Sequence, residues 1–287
     1  EVKPLLTCHW EQNYPFNLYT PAPNGVNTPT GCVATATAQL MYYHKWPKSR
    51  PNAYIFSQGT EAQKSADYQW QYMKDYAKQM DNKGGDAVGV LMRDVGKAVR
   101  MHYYYKGSNS NLHYAMDALR NDFGYSVRHL YKDYMLSGTF HEVLLNELAN
   151  GYPILVNGGS HVFVFDGYDR RGFIHINWGW GGEFDGYFDI NTIYLPVSGF
   201  GLNDGKFYED IEVVFAHHKD GKHKEFAAHR ELETRDVRPF TITETEVKRG
   251  TMLHAQVRKL GTNSVVNGEL GRFTGKVALG VYDEKGV

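Results

Sequence analysis

The sequence predicts an α+β protein, in which helices come first, an antiparallel sheet follows and a smaller β-rich region ends the chain. Hydrophobic residues repeat at helical spacing in the first half, and the period changes to two residues after Pro153. The composition becomes charged and rich in turn residues near residue 216. Because helices and strands occur in separate runs, we expect a helical lobe packed against a sheet lobe.

The first predicted helix runs from Cys32 to His44, a stretch without Gly or Pro that Pro47 terminates. Its alanines predict a slim helix, buried in the middle of the domain. Thr139 and Glu142 match the spacing of a capping box at the start of a later helix. The remaining segments are predicted as an extended arm over 1–29, mainly helical structure over 60–125 and a helix over 139–150.

The second half of the chain is predicted to form strands. Alternating apolar residues indicate them at 154–156, 161–165, 173–177, 186–190 and 210–215. We assign residues 1–215 to a main domain, 216–230 to a linker and 231–287 to an immunoglobulin-like β-sandwich. That last region is shorter than the roughly 100 residues of a complete sandwich, so we expect a partial accessory domain. Its strands are predicted at 240–243, 252–257 and 276–282.

Composition argues against two classes of partner. The chain has 287 residues, 42% of them hydrophobic and 22% charged, which is ordinary for a soluble globular protein. Its 31 basic and 32 acidic residues give a net charge of −1, so no basic surface for nucleic acid is expected. No apolar run reaches the roughly 18 residues of a membrane span. No secretory leader is visible, which fits a cytosolic protein or a mature form whose leader has been removed.

Two cysteines, Cys8 and Cys32, are too few for a disulfide framework. A bridge between them stays open, but it would block Cys32, and we interpret Cys8 as a spare thiol in a short, partly buried segment. Cys32 opens the first predicted helix, where free backbone N–H groups and the helix dipole favour a thiolate. Taken alone, a free cysteine is more often a small buried hydrophobic residue.

His161 is the predicted base for that thiol. It opens a strand directly after Gly159 and Ser160, a place where glycine allows a substrate backbone to approach closely. An imidazolium at this position would lower the pKa of the Cys32 thiol. A base needs a third group to orient its ring, and the Asn177 side chain is predicted to supply it.

Trp178 follows Asn177 and is predicted to shield the bond between the amide and the imidazole from water, while Trp180 lines the cleft. Three histidines of the charged segment offer a candidate metal cluster, but no nearby Cys or carboxylate spacing supports one, so we interpret them as parts of a solvated linker: His217, His218 and His223. The sequence therefore predicts no metal and no cofactor.

The motifs resemble those of the streptopain family of bacterial cysteine peptidases, a branch of the papain clan that includes interpain-like enzymes. The resemblance covers about residues 3–215. It is carried by four stretches, which are Gln12-Asn-Tyr-Pro-Phe-Asn, Thr30-Gly-Cys32-Val-Ala-Thr-Ala-Thr-Ala-Gln39, His161-Val-Phe-Val-Phe-Asp-Gly and Asn177-Trp-Gly-Trp-Gly-Gly182 with Asp185-Gly-Tyr.

This resemblance implies a two-lobed papain-like fold, with Cys32 as nucleophile, His161 as general base and then acid, and Asn177 as its orienter. Only the resemblance makes Gln12 a candidate, as the side chain that stabilises the oxyanion together with the backbone N–H of Cys32. It also implies a secreted or cell-surface enzyme, made as a zymogen whose own N-terminal prosegment blocks the site, with this chain as the mature form.

The sequence thus predicts a secreted endopeptidase that hydrolyses peptide bonds in proteins through a thioester. Two alternatives stay open. One is acyl transfer on the same fold, in which an amine replaces water. The other is a surface binding or adhesion protein that acts through its β-sandwich.

Overall fold

The computed structural model describes four short strands in the last quarter of the chain and, before them, residues 1–134, 137–195 and 205–222. By compactness the chain divides into two units, Glu1–Glu225 and Phe226–Val287. This division lies inside the predicted linker at 216–230. Residues 216–218, however, belong to a strand of the first unit, so the linker was predicted to start too early.

The first unit combines α-helices with one antiparallel sheet, as the sequence predicted. Four short 3-10 helices lie between the longer elements of the described residues. The α-helices are α1 (Cys32–His44), α2 (Glu61–Lys64), α3 (Asn82–Ala98), α4 (Leu112–Asn121) and α5 (Ser137–Ala149). The sheet strands are β1 (Tyr125–Tyr131), β2 (Ile154–Gly158), β3 (His161–Tyr168), β4 (Ile174–Asn177), β5 (Gly186–Phe188) and β6 (Glu212–His218).

Helix α1 lies at the centre of this unit, with the bounds that the sequence predicted. It packs against α3 and α4 on one side and against β2 and β3 on the other. Every residue from Val33 to Tyr42 is buried, because small side chains such as Ala34 and Ala38 allow neighbouring elements to approach from all directions. The helix ends at Lys45, which adopts a left-handed conformation with φ of 50°.

The six strands follow the order β1-β6-β2-β3-β4-β5, and every neighbouring pair is antiparallel. Strand β1 was not predicted, because the sequence analysis assigned no element to residues 126–131. It pairs with β6 along its whole length, from Tyr125 opposite His218 to Tyr131 opposite Glu212. This long-range pairing also explains why β6 continues through His217, whose ring is stacked on Tyr152.

The capping box predicted at Thr139 and Glu142 is wrong. Helix α5 begins at Ser137, so Thr139 lies inside the helix and cannot be its N-cap. The predicted extended arm, in contrast, has little regular structure and packs on the core. Trp10 and Phe16 are fully buried, and the backbone of Val2 pairs with Tyr168 at the end of β3.

A buried ion pair anchors the segment between α1 and α3. The Arg50 guanidinium donates to Asp94 of α3 at 2.8 Å, and both side chains are fully inaccessible to solvent. Arg50 also donates to four backbone carbonyls of the connecting segment, those of Tyr54, Ala62, Gln63 and Ser65. One side chain therefore supplies donors to four backbone carbonyls of this irregular segment.

The second unit contributes two described strand pairs. They consist of β7 (Leu232–Thr234) with β10 (Val265–Asn267) and β8 (Thr241–Ile242) with β9 (Ala255–Gln256), both antiparallel. The strands predicted at 240–243 and 252–257 overlap β8 and β9, whereas β7 and β10 were not predicted. The strand predicted at 276–282 lies outside the described residues. Among the helices that the structure describes, none combines the length and apolar character needed to cross a membrane.

Candidate active site

The first turn of α1 presents Cys32 with its backbone amides uncapped. Gly31 occupies the N-cap position with φ of 84° and no side chain caps the helix. Any Cβ at Gly31 would lie 2.6 Å from the Met101 sulfur, so both the conformation and the space demand glycine. The free N–H groups that follow are thus available to an anion at the helix start.

The Cys32 side chain is half-buried, and three nearby backbone N–H groups act to lower the pKa of its thiol. Two come from Cys32 itself and Val33 in the first helical turn, and the third comes from Val162 in β3. Because Val162 directly follows His161, this contact brings the thiol to the start of the strand that carries the predicted base. The structure therefore joins these two candidates, which lie far apart in the sequence.

The ring of His161 is held by the main chain. Its Nε2 atom lies 3.0 Å from the backbone oxygen of Trp178, and the residue is only 4% exposed. A carbonyl oxygen can only accept, so Nε2 carries the proton and donates it. In the neutral ring, Nδ1 is then the nitrogen free to take a proton.

Burial governs the charge states of both groups. It raises the pKa of the Cys32 thiol, against the opposing effect of the three N–H groups, and it lowers the pKa of His161 to about 4, against the bond to Trp178. The lowered thiol pKa expected from the sequence is therefore not found, because desolvation outweighs the helix amides. Within the described residues, no hydrogen bond joins the Cys32 sulfur to the ring of His161, so proton transfer requires the two groups to approach further.

The prediction that the Asn177 side chain orients His161 is wrong, and the neighbouring main chain takes that place. The Asn177 Oδ1 atom accepts from Gly179 N at 3.1 Å and from Gln39 Nε2 at 3.0 Å, and its Nδ2 donates to Cys8 O at 2.8 Å. These bonds shape the backbone around Trp178, whose carbonyl contacts the imidazole. Asn177 thus acts on His161 through the turn that it braces.

Gln39 was quoted within the nucleophile motif, but the sequence analysis gave it no role. It is fully buried in α1, and its Oε1 accepts from Trp10 N at 3.1 Å and from the Cys8 thiol at 3.6 Å. An amide side chain on an otherwise apolar helix was the signal that could have revealed it. Both cysteines are free, and burial raises the pKa of the Cys8 thiol well above its ordinary value, which disfavours its thiolate.

Aromatic rings enclose the imidazole of His161. The Trp180 ring is stacked on it at 4.7 Å between centroids, and Trp178 lies at 6.2 Å and nearly parallel. The two indoles stack on each other at 5.4 Å, and Phe207, which the sequence did not single out, meets His161 edge-on at 6.1 Å. Trp178 and Trp180 therefore both lie beside His161, and the ring of Trp180 is the nearer of the two.

Gly159 and Ser160 form the two-residue turn between β2 and β3, with φ of 56° and 66°. Positive φ at both positions is typical of a type I′ hairpin turn. A Cβ at Gly159 would lie 2.1 Å from the backbone oxygen of Lys206. The space beside Gly159, where the sequence predicted that a substrate backbone could approach, is thus filled by the protein's own backbone at Lys206. The Ser160 side chain is exposed.

Gln12 lies beside the start of α1. Its backbone oxygen accepts from Thr30 N at 3.0 Å, two residues before Cys32. The Gln12 side chain is half-buried, and its amide makes no hydrogen bond with any residue in the described part of the chain. Neither Cys32 nor His161 belongs to a group of three potential metal ligands among the described residues.

A model of the peptidase C10 family matches residues 10–188. The chain belongs to the peptidase C10 family. It is 34% identical over 220 residues to the thiol protease/hemagglutinin PrtT of Porphyromonas gingivalis, covering 71% of this chain and 25% of that protein. It is 32% identical over 238 residues to streptopain of Streptococcus pyogenes, covering 72% of this chain and 60% of streptopain. The chain thus spans a quarter of the length of PrtT and about three fifths of the length of streptopain.

Solved structures show the same likeness. Active wild-type interpain A, a cysteine protease of Prevotella intermedia, matches with a TM-score of 0.63 and 29% identity over 74% of this chain and 93% of that one. A prointerpain A fragment matches with a TM-score of 0.60 and 27% identity, over 74% of this chain and 71% of that one. The resemblance to the streptopain family of cysteine peptidases, predicted from the motifs, is confirmed, and so is the combination of helices with an antiparallel sheet.

Proposed function

We propose that the chain carries the catalytic domain of a secreted bacterial cysteine endopeptidase, with Cys32 as nucleophile and His161 as general base. One observation carries this proposal. The Cys32 sulfur lies at the uncapped start of α1, near enough to the Val162 amide for that N–H to favour the thiolate, and Val162 directly follows a histidine whose Nε2–H is bound by the main chain. The remaining ring nitrogen is the proton acceptor that a thiol nucleophile requires. The names of the family's relatives, thiol protease and cysteine protease, support the same class.

In the proposed acylation step, the Cys32 thiol transfers its proton to Nδ1 of His161 as the sulfur attacks the carbonyl carbon of the substrate. Burial disfavours a lone thiolate and a lone imidazolium alike, so the two charges form together as a pair in which each stabilises the other. The imidazolium then donates its proton to the departing amine, which leaves a thioester on Cys32. Water attacks the thioester while His161 takes its proton, and the C–S bond then breaks as His161 returns the proton to the Cys32 sulfur and the carboxylic acid product leaves.

The oxyanion of each tetrahedral intermediate requires preorganised donors. The backbone N–H of Cys32 is one. We assign the second to the Gln12 side chain, whose loop is tied to the residues before the nucleophile by the Thr30–Gln12 backbone bond. An amide without a partner in the described structure is free to donate to a substrate oxygen.

The tryptophans have separate proposed roles. Trp178 supplies the carbonyl that holds His161 and is fully buried, whereas Trp180 is partly exposed and forms a wall of the cleft. An aromatic wall favours apolar or aromatic side chains of the substrate. The Gly159–Ser160 turn sets the position of His161 at the start of β3.

We further propose a two-lobed papain-like arrangement of the first unit, an accessory β-sandwich over 231–287, and a zymogen with an N-terminal prosegment. The solved prointerpain A fragment is a proform of a relative, which supports the last point. Protein substrates and secretion are inferred from family membership.

Active-site labelling combined with a hydrolysis assay tests this function. The native protein is treated with iodoacetamide or the epoxide inhibitor E-64, the adduct is mapped by mass spectrometry, and casein hydrolysis is measured in parallel. We expect one adduct, at Cys32, and complete loss of hydrolysis, with the same loss in a Cys32→Ala variant. Cys8 is buried and should react only after denaturation, which supplies the internal control.

Hydrolysis that survives the block, or native labelling at Cys8 in place of Cys32, would contradict the proposal. Adding a primary amine to a peptide substrate separates hydrolysis from acyl transfer, because a transferase would yield the amide as its main product. A binding protein that acts through residues 231–287 would keep its function in the Cys32→Ala variant.

A further inference from the structure

Two histidines and a glutamate converge outside the candidate active site, where α4, β1 and β6 meet. His113 lies in the first turn of α4, His129 in β1 and Glu212 at the start of β6. One potential ligand atom from each residue lies within 4.8 Å of the other two. The three residues are widely separated in the sequence, so only the fold brings them together.

The strand register explains how two of these side chains meet. Tyr131 lies opposite Glu212 in the antiparallel β1–β6 pair, and His129 is two residues before Tyr131, so it projects from the same face of the sheet. The His129 Nε2 and Glu212 Oε2 atoms are 3.0 Å apart, with the two side chains only 7% and 11% exposed. These two nearly buried side chains are the part of the cluster that the sheet holds in place.

Helix α4 brings the third residue. Asn111 caps the helix by accepting from Tyr114 N at 3.0 Å, which fixes the helix start at Leu112, directly before His113. The helix packs against β1, and the ring of His113 meets that of His129 edge-on at 5.0 Å between centroids. His113 is exposed, so this side of the cluster is open to solvent.

Neighbouring polar groups hold the cluster in place. Asn157 of β2 donates to Glu212 Oε1 at 3.1 Å, which leaves Oε2 directed at His129. The Tyr131 hydroxyl lies 3.1 Å from Nε2 of His113. In metal sites, hydrogen bonds of this kind, made to the ligand side chains by neighbouring residues, orient the carboxylate and imidazole ligands.

We propose that His113, His129 and Glu212 bind a zinc-type divalent transition metal ion. Two imidazoles and one carboxylate form a donor set found in zinc sites with an open fourth position. Calcium and magnesium prefer oxygen ligands throughout and do not suit a site with two nitrogen donors. The ion would take the place of the proton shared by His129 and Glu212, and water would complete the coordination from the exposed side of His113.

The ion would connect α4 to the β1–β6 pair. Through Asn157 it would also restrain β2, the strand that leads into the turn before His161. Because the three ligands come together only in the folded chain, bound metal would stabilise the native state and raise its Tm.

Metal titration of a chain without its catalytic thiol tests the proposal. The full chain with Cys32→Ala is titrated with Zn²⁺ by calorimetry and with Co²⁺ by visible absorption, and Tm is measured with and without Zn²⁺. We expect one equivalent of each ion, a tetrahedral cobalt spectrum and a rise in Tm. Adding His113→Ala should weaken binding by more than about 100-fold, and adding Asn157→Ala by about 10-fold.

His102→Ala in the same background is the matched control, because His102 is also an exposed histidine but lies outside the cluster. This control should bind like its parent. His113 is exposed, so its replacement should leave the fold intact and the result interpretable, whereas His129→Asn serves only as a second test. Unchanged affinity and Tm shift in the His113→Ala variant would overturn the proposal, and so would equal losses in the His102→Ala control.

Discussion

Gln39 on the nucleophile helix donates a hydrogen bond to the Oδ1 atom of Asn177 at 3.0 Å. Both side chains are buried, and the bond joins α1 to the end of β4. Asn177 in turn braces Gly179, so the peptide that carries the Trp178 carbonyl is held from two sides. The orientation of His161 therefore depends on a residue seven positions after Cys32 in the same helix.

Replacing Gln39→Met should lower kcat by between about 10- and 100-fold with a smaller effect on KM, because the base loses its alignment while the cleft stays. The pH dependence of Cys32 alkylation should shift as well, which a purely structural role would not cause. Steady-state kinetics and alkylation rates on the folded variant provide the measurement.

Thr37→Val is the matched control for that variant. Thr37 lies in the same helix, is equally buried and has a hydroxyl without a partner among the described residues. Removing an unsatisfied hydroxyl should be neutral or stabilising. Equal kinetic losses in the two variants would show that any polar change in α1 disturbs the site, and the assigned role of Gln39 would be lost.

Burial of His161 predicts an acid-labile fold. Its pKa falls from an ordinary 6.5 to about 4, so below pH 6.5 the unfolded chain binds a proton that the folded chain does not. The free energy of unfolding should therefore drop as pH falls from about 6.5 to 4, by up to about 3 kcal/mol from this group. Urea unfolding of the protein and a His161→Gln variant across this window isolates the contribution. Parallel pH curves for the two proteins would refute it.

Gly159→Ala should destabilise the protein by about 2 kcal/mol or more, because its Cβ would lie 2.1 Å from the Lys206 oxygen and its φ is positive. Ser160→Ala is the matched change at the other turn position, which is exposed, and should stay within about 0.5 kcal/mol. Thermal and urea unfolding measure both. A Gly159→Ala variant as stable as its Ser160→Ala counterpart would mean that residues 205–207 can move away freely.

Arg50→Met should cost about 3–5 kcal/mol in unfolding free energy, because the buried Asp94 keeps only Arg93 as a charged partner and four carbonyls each lose one donor. Lys48→Met provides the comparison. Lys48 contacts Asp67 at 3.8 Å on the surface, with side chains 82% and 44% exposed, and its loss should cost less than about 1 kcal/mol. Similar urea midpoints for the two variants would contradict this account.

Sequence patterns predicted the helices and strands whose bounds are set by residues within or next to them. Helix α1 was predicted with its observed bounds, because Gly31 and Pro47 flank it and nothing within it breaks a helix. Strands β2 to β4 are short apolar runs separated by turn residues and were predicted within a few residues. Strand β1 was missed because its identity comes from pairing with β6, and that partner lies too far along the chain for a local pattern to reveal.

In the candidate site, too, motifs predicted some residues, while contacts between distant parts of the chain could not be predicted. Cys32, His161 and the two tryptophans were predicted as neighbours from motifs, and the structure places them together. The hydrogen-bond acceptor of His161 could not be predicted, because a main-chain carbonyl leaves no trace in the identity of any residue. The cluster of His113, His129 and Glu212 was equally hidden, while His217 and His218, which drew attention as consecutive histidines, proved to be strand residues.

The atom that accepts the hydrogen bond of His161 is a main-chain oxygen, so it does not depend on which residue occupies position 178. Every amino acid at position 178 would bring a carbonyl oxygen, so point mutation cannot delete this partner as it could delete an asparagine side chain. The contact instead depends on the local path of the peptide, so a variant that bends this path would lose the contact even with residue 178 unchanged.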